Sequence, residues 1–275
     1  VHAHYISSYG FLGYLSGFKP LILSAWGSDI FLFPTKSYLH KKLLSYIIQK
    51  SDAVCSSSKV MSDQMKKIFN REKIFVIPFG IDIKVFKPTK KDSNIFTVGT
   101  IKSIEDHNGI DCLIDAAKII IEDFKKDIHF EITGDGTLSD KMKKKIIDYN
   151  LQNRIKLSGF IDHDKIVSRY NRLSIFVAVS LRESFGVSIL EAAACSVPSI
   201  TSNIGGLVEV NLDNKTGLVI NPNDPHELAN SIIYLFENEK IRKDMGKFGR
   251  ERVISDFNWD DNVSQMINLY KNFIK

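Results

Sequence analysis

The chain has only three cysteines in 275 residues, Cys55, Cys112 and Cys195. They are too few, too scattered and odd in number for a disulfide scaffold, and they read as reduced, buried thiols of a cytosolic protein. No Cys/His cluster has the spacing of a zinc site, so no metal ligand is assigned. An RNA-binding signature and a basic arm are also missing. The balance of 37 basic against 32 acidic side chains, a net charge of +5, is too mild to suggest nucleic acid by itself. It suits anionic ligands or an anionic membrane face. The longest apolar stretch, residues 5–33, is interrupted by Gly10, Gly13, Gly17 and Pro20, which excludes a membrane span. There is no initiating Met and no signal-peptide pattern. The chain starts inside a strand-like run, Val1-His2-Ala3-His4-Tyr5, and reads as a fragment lacking the start of its first domain. The remaining composition, 44% hydrophobic and 25% charged, is ordinary for a soluble globular protein. Its length suits one large or two modest domains.

The most informative stretch is 174–209. It reads as strand, polar loop, helix, strand and glycine turn. Residues 174–179 (S-I-F-V-A-V) have the β-branched and aromatic composition of a buried strand, and 188–195 (S-I-L-E-A-A-A-C) are rich in strong helix formers. Pro198 stops the helix region, and Gly205-Gly206 marks a turn. A helix opening at Val187 presents free N–H groups and a positive dipole end beyond the strand, where an anion such as phosphate belongs. Gly186 removes side-chain bulk where a ligand approaches the backbone. Two carboxylates bracket this start: Glu183 in the loop and Glu191 about one turn into the helix, where a carboxylate suits a vicinal diol such as ribose. From spacing alone, Glu183 reads as a solvated loop charge and Glu191 as an exposed helix face.

The rest of the chain alternates strands and helices, the pattern of an α/β protein. Residues 1–5 and 21–25 read as strands with a helix near 9–18 between them. Residues 36–50 form an amphipathic helix with an apolar stripe of Leu39, Leu43, Tyr46 and Ile47. It is either a core helix with a solvated basic face or a helix lying on a membrane surface. A strand into a cap (51–58), a helix (60–69) and a strand (74–78) complete the first half. The polar segment 87–94, with Pro88, marks the domain boundary. A strand at 95–99, an amphipathic helix at 110–122 and a strand at 129–133 follow. The strand ends in Gly134-Asp135-Gly136, a weak glycine signal alone. Residues 139–149 form a lysine-rich surface helix. Asp162-His163-Asp164 reads as a helix N-cap ahead of Ile166, Tyr170 and Leu173, not as a metal-binding D-x-D. Closing helices cover 225–238 and 239–255. The last carries a stripe of Val263, Met266, Ile267, Tyr270 and Ile274.

The line from 183 to 209, E-S-F-G-V-S-I-L-E-A-A-A-C-S-V-P-S-I-T-S-N-I-G-G-L-V-E, and then T-G-L-V-I-N-P-N-D, strongly resembles the donor site of glycosyltransferase family 4, with its E-x7-E signature. Phe79 to Pro88 resembles that family's interdomain segment, and Trp26-Gly27-Ser28-Asp29 its H-G-S-D turn with Trp for His. The resemblance implies the GT-B fold, two Rossmann-like domains facing across a cleft. Here 1–88 is an incomplete acceptor-side domain, 89–257 the nucleotide-sugar domain and 258–275 a helix packing back on the first. It implies a retaining, metal-independent hexosyltransferase moving sugar from a nucleotide diphosphate sugar, UDP- or GDP-linked, in glycan or surface-polysaccharide biosynthesis. No cofactor beyond the donor is implied. By the same resemblance Glu183 lies near the donor sugar and the reaction centre, Glu191 holds the ribose, and the backbone of Phe185, Gly186, Val187 and Ser188 contacts sugar and diphosphate. Gly134 and Gly136 form the donor-side glycine loop and Ile161 lies against the base. His4 falls where many members carry a cleft histidine, although a lone strand histidine also serves as a structural hydrogen-bonder.

This chain departs from the family pattern in several places. Ser196 stands where Gly is usual. After Gly99, the positions of the usual Arg and Lys that grip the diphosphate are Thr100 and Asn108. Lys102, in the same loop, is the candidate replacement as a point charge, or else a solvated loop lysine. The resemblance further implies a glycan or lipid-linked acceptor, a cytoplasmic location with peripheral contact at the membrane face, and no nucleic-acid partner. Two alternatives stay open: a sugar-nucleotide epimerase on the same fold, and a non-catalytic nucleotide-sugar-binding subunit, suggested by the atypical 100–108 loop.

Overall fold

The computed structural model describes residues 1–90 and 95–273. Residues 91–94 of the expected boundary, and Ile274 of the expected last helix stripe, lie outside the described residues. The chain forms two compact α/β units. One comprises Val1–Gly80, Glu183–Phe185 and Trp259–Lys275, the other Ile81–Arg182 and Gly186–Asn258.

The first unit holds a four-stranded parallel sheet of β1 (His2–His4), β2 (Ile22–Ala25), β3 (Ala53–Ser56) and β4 (Phe75–Val76), paired in that order. Every residue of β2 and β3 is buried, as expected of parallel strands covered on both faces. Two helices follow capping rules: α1 (Tyr38–Lys50) starts at Ser37, whose hydroxyl accepts from the His40 N–H, and α2 (Lys59–Phe69) starts at Ser58, which accepts from Met61. The buried face of α1 is Leu44, Ile47 and Ile48. Ile47 of the stripe read from the sequence is thus buried and Leu43 packs against the core, and the other two positions are corrected. Leu39 and Tyr46 are 74% and 48% exposed, because the sheet is met by positions rotated around the helix from them. On the C-terminal helix Trp259–Lys271 the buried residue is Leu269, against Ile22, Ala53 and Cys55, whereas Val263 and Ile267 remain exposed.

The second unit is a six-stranded parallel sheet: β5 (Thr97–Ile101), β6 (His129–Thr133), β7 (Ile155–Gly159), β8 (Ile175–Ala178), β9 (Ser199–Ser202) and β10 (Gly217–Ile220). Its spatial order is β10-β9-β8-β5-β6-β7. The chain runs outward from β5 through β6 to β7, then returns to place β8 on the other side of β5. The β5/β8 boundary is therefore a topological switch point, the place where ligands bind at the carboxyl ends of such sheets. The longer helices are α3 (Ile110–Ile119), α4 (Ser139–Asp148), α5 (Ile166–Arg172), α6 (Val187–Ala194), α7 (Pro225–Glu237) and α8 (Glu239–Asp256). The core joins Val98, Phe130, Ile132, Val177 and Ile200 of the sheet to Leu113, Ile114 and Ile232 of the helices.

Between α6 and β9, Ser196 sits at φ +59°, a left-handed conformation costly for a residue with a Cβ. Ser196→Gly relieves that strain, partly offset by the greater chain entropy of glycine, and is expected to stabilise the chain by about 0.5–1 kcal/mol. A thermal melt checks this; an unchanged or lower midpoint would show that the turn is not strained.

Candidate functional site

The switch point brings the first candidate residues together. Lys102 immediately follows β5, and its Nζ donates to Ser180 Oγ, which follows β8, at 2.8 Å. A cation thus spans the crevice where the two strands diverge. Its loop is held from within. Asn108 Nδ2 donates to the Ser103 carbonyl and to Ser103 Oγ, both at 2.9 Å. Lys102 N–H donates to the Thr133 carbonyl and Ile104 N–H to the Asp135 carbonyl. Gly134, at φ +134°, lies against this loop, and a Cβ there would sit 2.0 Å from the Lys102 carbonyl oxygen. A Cβ on Gly136 would sit 2.5 Å from the Ile104 carbonyl oxygen. The glycine loop after β6 thereby leaves room for the backbone that carries Lys102.

Thr100 and Gly99 lie inside β5. Thr100 is buried, and a Cβ on Gly99 would meet the Glu131 carbonyl oxygen at 2.6 Å and a Leu173 methyl at 2.7 Å. These two positions shape the sheet, and Asn108 pins the loop. Lys102 is the member of the group whose charge reaches the crevice.

Helix α6 begins on the same edge. Gly186, at φ +105°, precedes it, and the helix has no side-chain cap. A Cβ on Gly186 would press on Ile189 and Leu207 at 3.0 Å, so both dihedral and space require glycine. Val187 is exposed and Ser188 half-buried at the first helical positions, where backbone N–H groups point out of the helix.

Glu191 lies one turn further along. Its Oε2 accepts from the hydroxyl of Tyr170, on α5, at 2.6 Å. Burial pushes the Glu191 carboxyl above its ordinary range, opposed by the Tyr170 hydrogen bond and by His163. Tyr170 is fully buried, and burial together with Glu191 raises its phenol well above the usual value. In the sequence Tyr170 is only one position of an apolar stripe. A buried tyrosine needs a partner for its hydroxyl, which was the available signal. Ile161 lies just beyond β7 and is half-buried. Asp162 pairs with Lys165 at 3.1 Å and makes no side-chain capping bond. Among the described residues no group of three His, Cys, Asp or Glu side chains is placed to hold a metal ion.

Glu183, Ser184 and Phe185 group with the first unit. Ser184 Oγ donates to the Trp26 carbonyl at 3.1 Å, and the Phe185 ring lies edge-on to Phe79 at 5.6 Å. Glu183 is half-buried, and its carboxylate accepts from the Ser184 N–H at 3.1 Å. His4 ends β1, with its ring 4.1 Å from that of His2 and 5.6 Å from that of Trp26, and partial burial lowers its pKa. It lines a cavity of about 390 Å³ at the carboxyl ends of β1–β4, with Trp26, Phe79, Trp259 and Tyr270. His2, for which the sequence carries no motif, bonds Tyr270 and Ser24 at 2.7 and 2.8 Å, and burial with His4 nearby lowers its pKa to about 4. Asp29, fully buried, accepts from the backbone N–H groups of Ile6, Trp26 and Gly27. The Trp26–Asp29 turn is thus a fastening for the ends of two strands.

The pattern described as "Glycosyl transferases group 1" matches residues 81–252, and that described as "Glycosyl transferase 4-like" matches 1–58. The chain belongs to the group 1 glycosyltransferases. An uncharacterized glycosyltransferase of Methanocaldococcus jannaschii is 30% identical over 274 residues, 98% of this chain and 74% of that protein. Glycogen synthase of Mycobacterium tuberculosis is 27% identical over 233 residues, and the match covers 82% of this chain but 55% of the synthase. Anabaena HepE, solved in complex with UDP-glucose, superposes with a TM-score of 0.87 at 21% identity, covering 97% of this chain and 77% of HepE. The fold of this glycosyltransferase is GT-B.

Proposed function

We propose that the chain is a retaining glycosyltransferase of the family 4 type that takes a hexosyl group from a UDP- or GDP-linked donor without a metal ion. The observation that carries this reading is the Lys102 ammonium at the switch point, on the edge where α6 begins without a side-chain cap. The UDP-glucose bound by HepE is the kind of donor that such a site accepts. In the proposed site, Lys102 and the N–H groups of Val187 and Ser188 hold the diphosphate, and Gly186 lets it approach the backbone. Glu191 receives the ribose hydroxyls, oriented by Tyr170. The Phe185 backbone contacts the sugar, and Ile161 lies against the base. Glu183 and His4 act at the reacting sugar.

The chemistry needs little from the protein beyond position and charge. The acceptor oxygen forms a bond to the anomeric carbon as the bond from that carbon to the diphosphate breaks, and the acceptor proton passes to the departing phosphate oxygen. Attack on the face the phosphate leaves retains the anomeric configuration. The diphosphate gains negative charge in this step, and preorganised donors stabilise it there. The acceptor in this reading is a glycan or a lipid-linked sugar of surface-polysaccharide assembly, reached from the cytoplasmic side of the membrane.

A second reading, a nucleotide-sugar-binding subunit without turnover, draws on Thr100 and Asn108, which are engaged in shaping the fold. Incubation with α-linked UDP- and GDP-hexoses and a panel of glycan acceptors separates the two. Release of nucleoside diphosphate with an α-linked product by NMR is expected. A β-linked product would contradict retention, and donor binding without transfer would favour the subunit.

A further inference from the structure

The first fifty residues contain five lysines (19, 36, 41, 42 and 50), no arginine and one acid, Asp29, which is buried. The surface they build is therefore basic without compensation from its own segment. It is also apolar. Tyr9, Leu12 and Leu15 recur every three residues along the helical stretch that begins at Ile6, and Phe18 follows just beyond it. On α1, Tyr38 and Leu39 stand at the first turn, and all six side chains are between 60% and 76% exposed. The two stretches adjoin, since Tyr14 and Tyr46 share a hydrogen bond of 2.8 Å with their rings edge to face. Leu39, Lys42 and Tyr46 lie three and four residues apart, so they form one exposed row of α1, and Tyr46 carries that row up to Tyr14. Lys41 and Lys42 are exposed beside it, and Lys36 lies over the ring of Phe33.

Solvent-facing leucine and phenylalanine at helical spacing, rimmed by lysine, is the composition of a surface that rests at the headgroup boundary of a bilayer. A protein partner of matching character would need an acidic, apolar face, whereas an anionic leaflet supplies both properties over any area. No helix among the described residues is long and apolar enough to cross a membrane. We propose that this face of the first unit docks on an anionic lipid bilayer, with Leu12, Leu15, Phe18 and Leu39 entering the interface and Lys36, Lys41 and Lys42 meeting lipid phosphates. This gives the membrane contact of the proposed function a specific surface, but the docking itself does not require that the donor site work.

Co-sedimentation of the chain with vesicles tests it. Vesicles of phosphatidylcholine mixed with phosphatidylglycerol are expected to pull the chain down, more weakly as salt rises, and vesicles of phosphatidylcholine alone far less. The Lys41→Gln/Lys42→Gln variant is expected to lose about fivefold per lysine on anionic vesicles, the worth of one basic side chain near such a surface. The Leu12→Ser/Leu15→Ser/Phe18→Ser variant is expected to lose at least about tenfold, with an unchanged far-UV circular dichroism melt. A wild-type chain that stays in the supernatant with both vesicles would overturn the proposal. So would equal binding by the wild type and the lysine variant. A wild-type dimer that the triple variant turns into monomer would assign the face to a second copy of the chain instead. Because vesicle binding uses no donor, its failure is distinguishable from failure of nucleotide binding.

Discussion

Replacing Glu183 by alanine is expected to lower glycosyl transfer by about 10²–10³-fold, the usual loss when one preorganised charged or polar group is removed from a transition state. Nucleotide affinity is expected to stay within about twofold, because in the proposed site Glu183 faces the sugar and not the diphosphate. The carboxylate is half-buried, and its loop is fixed by Ser184, whose hydroxyl is bound to the Trp26 carbonyl. A charge held in that way need not reorganise as the anomeric carbon loses its bond to the phosphate. Glu183→Gln keeps the shape and removes the charge, so it separates electrostatics from packing: a loss close to that of alanine assigns the effect to charge. Initial-rate assays at saturating donor give the comparison. Unchanged turnover in Glu183→Ala would remove the catalytic assignment.

The second large effect is expected at Lys102. Lys102→Ala is expected to weaken binding of a nucleotide diphosphate by about 10–100-fold, the range of a charge-assisted hydrogen bond to phosphate. The loop should survive the change. Its fastenings run through the Lys102 backbone, the Ile104 and Asp135 backbone, and Asn108, and none of them uses the lysine ammonium. Lys102→Arg is expected to recover part of the affinity, since the position calls for a cation. Calorimetric titration checks the series, and equal affinity in wild type and Lys102→Ala would show that the diphosphate is gripped elsewhere.

Much of this organisation was legible in the residues. The β-branched run that became β8 and the alanine-rich run that became α6 announce a strand and a helix locally, whereas the two glutamates are singled out as candidates by the resemblance of the 183–209 line and not by their spacing. Other features depend on order in space. Lys102 and Ser180 are 78 positions apart, and only the return of β8 to the side of β5 makes them neighbours. Tyr170 and Glu191 lie on helices that meet only once the sheet is assembled. Half of the stripe on α1 was misplaced for a related reason: Ile47 is buried and Leu43 packs against the core, but Leu39 and Tyr46 do not. An amphipathic pattern tells that one face is buried, but the sheet selects Leu44, Ile47 and Ile48, leaving Leu39 and Tyr46 to the surface. At Gly134 the absent side chain makes room for the Lys102 carbonyl, a close approach between protein segments that glycine signals without naming its partner.

The central claim is that the switch point of the second unit holds a nucleotide diphosphate sugar with Glu191 on its ribose. Titration of UDP, GDP and ADP, and then of the sugar donor of whichever binds best, against the wild type and Glu191→Ala tests it most directly. One nucleotide is expected to bind well and to lose about tenfold or more in the variant. The raised pKa of Glu191 adds a sign: its carboxylate is protonated at higher pH than an ordinary glutamate, so affinity for the sugar donor should fall as pH is lowered toward that pKa, and this fall should vanish in Glu191→Ala. A folded chain that binds none of the three nucleotides, or binds one equally well without Glu191, would contradict the account.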